Sequence, residues 1–546
     1  MNRRPLYLLL AFTTAGALAG SGLAPATLAT SDPRDEGIRT FTQILAVVES
    51  RYVKEVPSKD LVYDGIRGML RTLDPHTNFL DEDAYQEMQE EQRGTFYGLG
   101  IVINKRGKDS PLTVIAPIDG TPAARLGIRA GDVISHIRDK VAGVDIDTVG
   151  LEVQDAVKYL RGPKGSEVTI SIDRPGFDEP LEFTIVRDTV PTHSVTNAWM
   201  IGPDTGYIKL INFTQTSADE LSRALALLRT AGMKKVILDL RSNPGGLLDQ
   251  AVRISSLFLE PGQMIVYTKG RIPGSDQEFR STDSTERVTE PVVVLVNRGS
   301  ASASEIVSGA LQDHDRAFIV GETTFGKGLV QSVYKLARQT GLALTTAHYY
   351  TPSGRLIQRD WSSLEDYYYD LEDAPQIPES QRQTSRTDAG RTVFGGGGIS
   401  PDLTVAAEEV PRAIADLTRT NAFFEYVISL NRTKPILPEG AGGTPEALES
   451  FRRSFHTEPE VVDSFRAWLT ERKTPVDDGE FELARDKIRT LLTAEMVGVA
   501  TGGLAYRDRV LLEADPQLQA AIGAFAQAKV LHPDAPARAA APAAGR

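Results

Sequence analysis

The feature that most constrains this chain is a set of unbroken apolar runs. "KKVILDLR" (234–241), "PVVVLVN" (291–297) and "RAFIVGE" (316–322) do not alternate apolar with polar residues. A strand with one wet face alternates, so these strands must be covered on both faces. "TGYIKLINF" (205–213) precedes them as a further strand. Helical patterns lie between: "TSADELSRALALLRTAG" (216–232), "GGLLDQAVRISSLFL" (245–259) and "SASEIVSGALQD" (302–313). The first is expected to open with a capping box from Ser217 to Glu220 and to stop at Gly232. Strand and helix in alternation give an α/β core around a double-covered sheet.

The flanks read differently. "GIRTFTQILAVVESRYV" (37–53) and "KDLVYDGIRGMLRTL" (59–73) have helical periodicity. A turn, "DPHTNFL", and a polar helix, "DEDAYQEMQEEQRG", follow, which makes residues 35–95 a small helical domain. Residues 96–190 hold short β runs punctuated by Gly and Pro, with one short and one longer helix, as in a compact, partly open β-barrel. The core then spans 191–409, with an acidic, Tyr-rich and then polar loop insertion at 361–394. Helices are expected over 410–531 and a disordered Ala/Pro tail over 532–546. The whole is a multidomain α+β protein.

At 546 residues the chain has room for three or four domains and a sizeable core. Its net charge of -13 argues against a nucleic-acid partner, because phosphate binding needs a basic face. The absence of cysteine excludes disulfides, thiol catalysis and cysteine-ligated metals. "MNRRPLYLLLAFTTAGALAG" carries two arginines, an apolar stretch and then small residues. Residues 1–29 therefore read as a signal peptide, cut after Ala19 or Ala29, or as an N-terminal membrane anchor. Either way the body of the protein is exported, in a periplasm or cell envelope.

Chemistry concentrates at "NRGSASASE" (297–305), directly after the strand "PVVVLV". Ser302 stands at the start of a helix, where unpaired N–H groups can stabilise developing negative charge. Taken alone, a Ser/Ala-rich helix start is also ordinary capping. A nucleophilic serine needs a base. His314 and His348 have no local triad logic, and no G-x-S-x-G elbow surrounds the serine. Lysine is the other choice. Lys327, in "GETTFGKGLVQS", lies between glycines that let its backbone pass close to another element. Its amine must lose about three pKa units, roughly 4–5 kcal/mol, to be half neutral at pH 7. Burial can supply that. Gln331, four residues on, can orient the amine without charging it.

"DPHTNFL", "GLGI", "DLRSNPGG", "GSASASE", "GETTFGKGLVQ", "YYTPSGRLIQ" and "GGGGISPDL" occur in one order. Together they resemble the C-terminal processing peptidases, also called carboxyl-terminal or tail-specific proteases, over residues 37 to 407. The resemblance implies a crotonase/ClpP-like peptidase core with Ser302 as nucleophile, Lys327 as general base and Gln331 as its partner. It gives Glu305 a supporting role. An oxyanion hole needs two backbone donors. Ala303 N–H is one candidate, and Gly246, with Gly245 beside it, supplies the other. On the plainer reading "DLRSNPGG" is a helix cap with a tight turn, in which Arg241 and Asn243 brace the loop.

Residues 96–190 resemble a PDZ domain. Gly98, Leu99, Gly100 and Ile101 match the loop whose N–H groups hold a peptide's terminal carboxylate, and the strand from Ile101 can add the peptide as another strand. Arg161 and Lys164, after the groove helix, are candidates for a charge-assisted contact with the core when a tail is bound. The resemblance further implies protein or peptide substrates with exposed apolar C-termini and a homo-oligomer formed through the helical ends. It leaves room for an adaptor protein. No metal, nucleotide or other cofactor is implied, since no HExxH or P-loop motif occurs. Two rivals stand beside this: a catalytically inactive PDZ scaffold, and a cell-wall esterase or amidase.

Overall fold

The computed structural model describes residues 32–105, 109–174, 176–284, 286–363, 367, 382–437, 444–474 and 476–531. The expected leader and Ala/Pro tail lie outside them, as does half of the expected loop insertion. The chain forms two compact units that divide after Met69. The first holds helix α1 (Pro33–Arg51) and nearly all of α2 (Ser58–Leu70). Asp32 caps α1 by accepting from Arg34 N–H at 3.0 Å. No residue of α1 is buried. Ile38, Phe41, Ile44 and Val47 form an apolar row on it, each 48–59 % exposed.

The second unit contains strand β1 (Asn78–Leu80), inside the stretch where a turn was expected. It pairs antiparallel with residues 341–343, so the end of "DPHTNFL" belongs to a sheet. Helix α3 (Glu82–Arg93), capped by Asp81, ends at Gly94. Strand β2 (Thr95–Gly98) leads into a small domain of β3 (Ile101–Asn104), β4 (Leu112–Pro117), α4 (Pro122–Arg125), β5 (Val133–Asp139), β6 (Val144–Asp147), α5 (Val153–Leu160), β7 (Glu167–Asp173) and β8 (Leu181–Val186). Its sheet runs β3-β4-β5-β7-β8, with β6 on β5, and β3 is an edge. Val168, Ile170 and Ile172 point inward at every second position and are fully buried. Strand β9 (Asp188–Pro191) returns antiparallel to β2, and the two make the neck of the insertion.

The core comprises β10 (Val195–Ile201), β11 (Thr205–Leu210), α6 (Ser217–Thr230), β12 (Lys235–Asp239), α7 (Leu248–Ser256), β13 (Met264–Gly270), β14 (Gln277–Arg280), β15 (Val292–Val296), α8 (Ala303–Asp313), β16 (Ala317–Gly321), β17 (Leu329–Lys335), β18 (Gly341–Tyr350), the hairpin β19 (Thr384–Arg386) and β20 (Thr392–Phe394), and β21 (Leu403–Thr404). The main sheet runs β10-β11-β12-β15-β16-β21, all parallel except β10. A second sheet, β1-β18-β13-β14 with β17 on β18, was not foreseen. The expected Ser217–Glu220 capping box does not form. Thr216 is the N-cap, and Glu220 accepts instead from the Thr216 hydroxyl at 2.7 Å and from Val195 N–H at 3.0 Å, beside a bulge in β10. The β19–β20 hairpin lies inside the expected loop insertion.

Helices α9 (Arg412–Arg419), α10 (Ala422–Thr433), α11 (Pro445–Ser454), α12 (Pro459–Glu471), α13 (Asp478–Leu483), α14 (Arg485–Thr501), α15 (Leu504–Glu513), α16 (Pro516–Gly523) and α17 (Phe525–Leu531) follow. One cluster, including Leu417, Phe423, Val427, Phe465, Phe481 and Ile488, joins α9, α10, α12, α13 and α14. The last two helices do something else. Leu518, Ala521 and Phe525 pack on Tyr207, Ile237, Val293, Leu295 and Val320. The alternate residues Val236, Leu238, Val292, Val294 and Val296 face the cluster formed with α6, α7 and α8. Both sheet faces are thus covered, as the unbroken apolar runs require, and each fully buried Val or Leu contributes roughly 1.5–3 kcal/mol. Among the described residues no helix is long and apolar enough to cross a membrane.

Candidate active site

Strand β15 ends the buried run and the chain turns sharply through Asn297–Ala301. Ser302 sits at the N-cap of α8 with φ +55°, a conformation a non-glycine residue holds only when its surroundings impose it. Here they do. Ser302 N–H donates to Glu305 Oε2 at 2.8 Å. Its carbonyl accepts from the N–H groups of Glu305 and Ile306, both at 2.9 Å. The flanking Ala301 N–H and Ser304 hydroxyl donate to Asn243 O at 3.0 and 2.9 Å.

The lysine segment is bound to the same carboxylate. Glu305 is wholly buried, and its Oε1 accepts from the Thr324 hydroxyl at 2.6 Å and Gly326 N–H at 2.7 Å. Its Oε2 also accepts from Lys327 N–H at 2.9 Å. Burial pushes the Glu305 carboxyl up, against four hydrogen bonds that pull it down. Gly326 has φ +88°, and a Cβ there would lie 2.9 Å from Arg359 Cβ and 3.0 Å from Gly398 N. The segment therefore threads between two other strands of chain, as the flanking glycines suggest.

The Lys327 amine is mostly buried, and burial lowers it below the ordinary 10.5, against the attraction of Glu305 and Asp74. Its acceptor is neutral: Gln331 Oε1, at 3.1 Å. Gln331 is fixed in turn by donating to His76 O at 2.5 Å. In this arrangement no hydrogen bond joins the Ser302 hydroxyl to the Lys327 amine.

Gly245 lies against the serine turn: at φ +99°, a Cβ would fall 2.7 Å from Ala301 O and 2.8 Å from Ala303 N. Gly245 N–H is already used by Asn243 Oδ1 at 2.9 Å, so it does not suit an oxyanion hole. Gly246 N–H and Ala303 N–H have no acceptor among the described residues. Neither histidine weighed as a base hydrogen-bonds Ser302 among the described residues. His314 spends both ring nitrogens, on Asp388 at 2.8 Å and on Met264 O at 2.7 Å. His348 Nδ1 is buried with no hydrogen-bond partner among the described residues, on β18 opposite Leu329.

The sequence reading missed the part played by "DPHT". Asp74 Oδ1 accepts from His76 N–H at 2.8 Å and Thr77 N–H at 2.7 Å, a turn that presents His76 O to Gln331. An Asp two residues before a bonded amide is the signal that could have found it. The His76 ring meets the buried Tyr367 hydroxyl at 2.7 Å.

In the small domain, Gly100 O accepts from Ile118 N–H at 2.9 Å and Leu99 O from Ala123 N–H at 3.0 Å. Leu99 is buried, and Ile101 opens the edge strand β3. Arg161, expected to contact the core once a tail is bound, here meets β2 and α3. It lies 4.2 Å from the Phe96 ring centroid and 3.7 Å from Glu90 of α3. Lys164 pairs with Asp188 at 3.0 Å.

A family model described as "Peptidase family S41" matches residues 204–363, and one described as "PDZ domain" matches 113–174. A carboxy-terminal-processing protease of Bartonella bacilliformis is 42% identical over 322 residues, 58% of this chain and 72% of that protein. The carboxyl-terminal-processing protease of Synechocystis is 40% identical over 57% of this chain and 72% of its own length. The carboxy-terminal processing protease CtpA of Bacillus subtilis is 34% identical over 57% and 65%. This chain belongs to the carboxy-terminal processing proteases of family S41. It is a serine peptidase with an α/β core, a PDZ domain inserted ahead of the main sheet and a helical C-terminal region.

His76 of this protease has an acid-side consequence. Burial, and secondarily the nearby Lys327 charge, depress its pKa from 6.5 to about 4. Between those values the unfolded chain binds a proton that the folded chain refuses, so stability falls as pH drops through that window. Urea midpoints at pH 7 and pH 4.5 are expected to differ less in His76→Gln than in wild type. Carbon-labelled histidine NMR should show one ring titrating near 4.

Proposed function

We propose that this protease hydrolyses peptide bonds with a Ser302–Lys327 dyad. The observation that carries the reading is the setting of Lys327: a buried amine with a neutral amide as its acceptor, on a segment tied by Glu305 to the serine turn. Lys327, neutral, takes the proton from Ser302 Oγ as that oxygen attacks the scissile carbonyl. Gly246 N–H and Ala303 N–H hold the resulting oxyanion. The lysine then gives its proton to the leaving amine, and the acyl-enzyme is hydrolysed by water that Lys327 activates in the same way. Gln331 orients the amine, and Glu305 holds both segments in register. Because the serine hydroxyl and the amine are not yet hydrogen-bonded, substrate binding is expected to bring them together.

The PDZ domain is the proposed reader of substrate. A C-terminal tail would add to the edge strand β3, its carboxylate received by the loop Gly98–Ile101. Substrates are exported proteins with exposed apolar C-termini, and the protease is itself exported. Arg161, beside Gly98 and paired with Glu90, would sense the bound tail and pass it to α3, which follows β1. The apolar row on α1 is proposed to bury itself against a second copy of the chain.

Mass spectrometry of an unfolded substrate with an apolar C-terminus should show cleavage by wild type and none by Ser302→Ala or Lys327→Ala, while changing His314 and His348 leaves turnover intact. Because the lysine acts neutral, kcat/KM should rise with pH through a single ionisation below 10.5, and Gln331→Ala should move that midpoint. Retained activity in Lys327→Ala would sink the dyad.

For the tail reader, amidating the substrate's terminal carboxylate should weaken capture. Arg161→Ala should lower peptide-stimulated cleavage more than basal cleavage; no change in either removes the coupling role. For assembly, Phe41→Asp with Ile44→Asp should reduce the mass measured by light scattering, and an unchanged mass refutes the α1 contact.

A further inference from the structure

We propose that Asp515 and Gln517, at the start of α16, are positioning residues for the oxyanion loop, and that they act through Arg241. The proposal rests on the Ser302 reading above and extends it to a helix more than two hundred residues further along the chain.

Arg241 lies between buried Asp239, at the end of β12, and Gly245. Its Nη2 donates to Asp239 Oδ2 at 2.7 Å, and its Nε lies 3.1 Å from both Asp239 oxygens. The remaining arm of the guanidinium leaves the sheet. Nη1 donates to Asp515 Oδ2 at 2.5 Å and to Gln517 Oε1 at 2.9 Å. Both partners are themselves fixed. Asp515 caps α16 by accepting from Gln517 N–H at 2.9 Å, and the Gln517 amide donates to Val405 O at 2.8 Å. The Arg241 carbonyl accepts from Lys209 Nζ at 2.6 Å.

The loop beyond Arg241 carries the free donor. Ser242 N–H is held by Asn297 Oδ1 at 2.7 Å, Asn243 binds the serine turn, and Gly246 N–H follows. An oxyanion donor works only when it is aimed before the charge develops. Arg241 sets the angle at which the loop leaves β12, and half of its hydrogen-bonding fork is owned by α16. Taking Asp515 and Gln517 away leaves Arg241 paired with Asp239, so the sheet persists while the start of the loop loses the anchors that come from α16.

The test uses the full chain. Asp515→Asn keeps α16 capped, because Asn caps as well as Asp; combined with Gln517→Ala it frees the outer arm of Arg241. Two quantities are read: steady-state cleavage of an unfolded protein, and affinity for a peptidyl boronate, whose serine adduct puts an anionic oxygen in the hole. The double variant should lose about 10- to 100-fold in kcat and a matching factor in boronate affinity, with KM nearly unchanged. The pH midpoint of kcat/KM should not move, because Lys327 is not involved. Asp477→Ala, which removes the cap of α13 far along the chain from Arg241, should leave kcat alone. Wild-type kcat and boronate affinity in the double variant overturn the proposal, as does a shifted pH midpoint. If the double variant does not fold, Asp515→Asn alone is judged by the same outcomes. Boronate binding and cleavage that survive Ser302→Ala would refute the underlying serine reading instead.

Discussion

The Glu305 carboxylate accepts four hydrogen bonds in a site closed to water, two from backbone and side chain of the 324–326 segment and one each from Ser302 and Lys327. A buried carboxylate is costly unless its lone pairs are filled. Filling them requires that two segments, about twenty residues apart in sequence, arrive at one point. The serine turn and the lysine segment are therefore not placed independently: whatever moves one moves the other. The strained φ of Ser302 is held by the same group.

Around this point the molecule is layered. Helices α6 to α8 cover one face of the main sheet, and α16 and α17 cover the other. The second sheet brings β1 to β18, and with it His76 and its carbonyl to Gln331. The PDZ domain hangs on the β2–β9 neck and also meets the C-terminal helices, where Ile428 lies against Gly131. The last two helices are structural members of the core.

Much of this was legible in the sequence. Five valines and leucines in a row at 292–296 cannot form a half-wet strand, and the covering on both faces follows. Gly326 and Gly328 signalled a close backbone passage, which Gln358, Arg359 and Gly398 supply. The pairing of Lys327 with Gln331 was legible because a lysine kept from full charge needs a neutral acceptor, and four residues is a short spacing for one. Gly245 was misjudged as a donor because the acceptor that takes its N–H is a side chain, Asn243, whose direction no pattern states. The second sheet was missed because its strands are partly exposed and lack the unbroken apolar cores of the first. The Ser217–Glu220 capping box failed because Glu220 is drawn to Val195 by a strand pairing that local spacing does not encode.

By itself the sequence determined the α/β core, the inserted domain and the helical ends, and it singled out Ser302 and Lys327 as candidates, because periodicity, punctuation and side-chain chemistry are local properties of the chain. Only the tertiary structure decided which groups answer each other across it: His76 to Gln331, Glu305 to Lys327, Asp515 to Arg241. Those pairings depend on where separate segments come to rest, and a hydrogen bond depends on distance and angle in space, not on position along the chain.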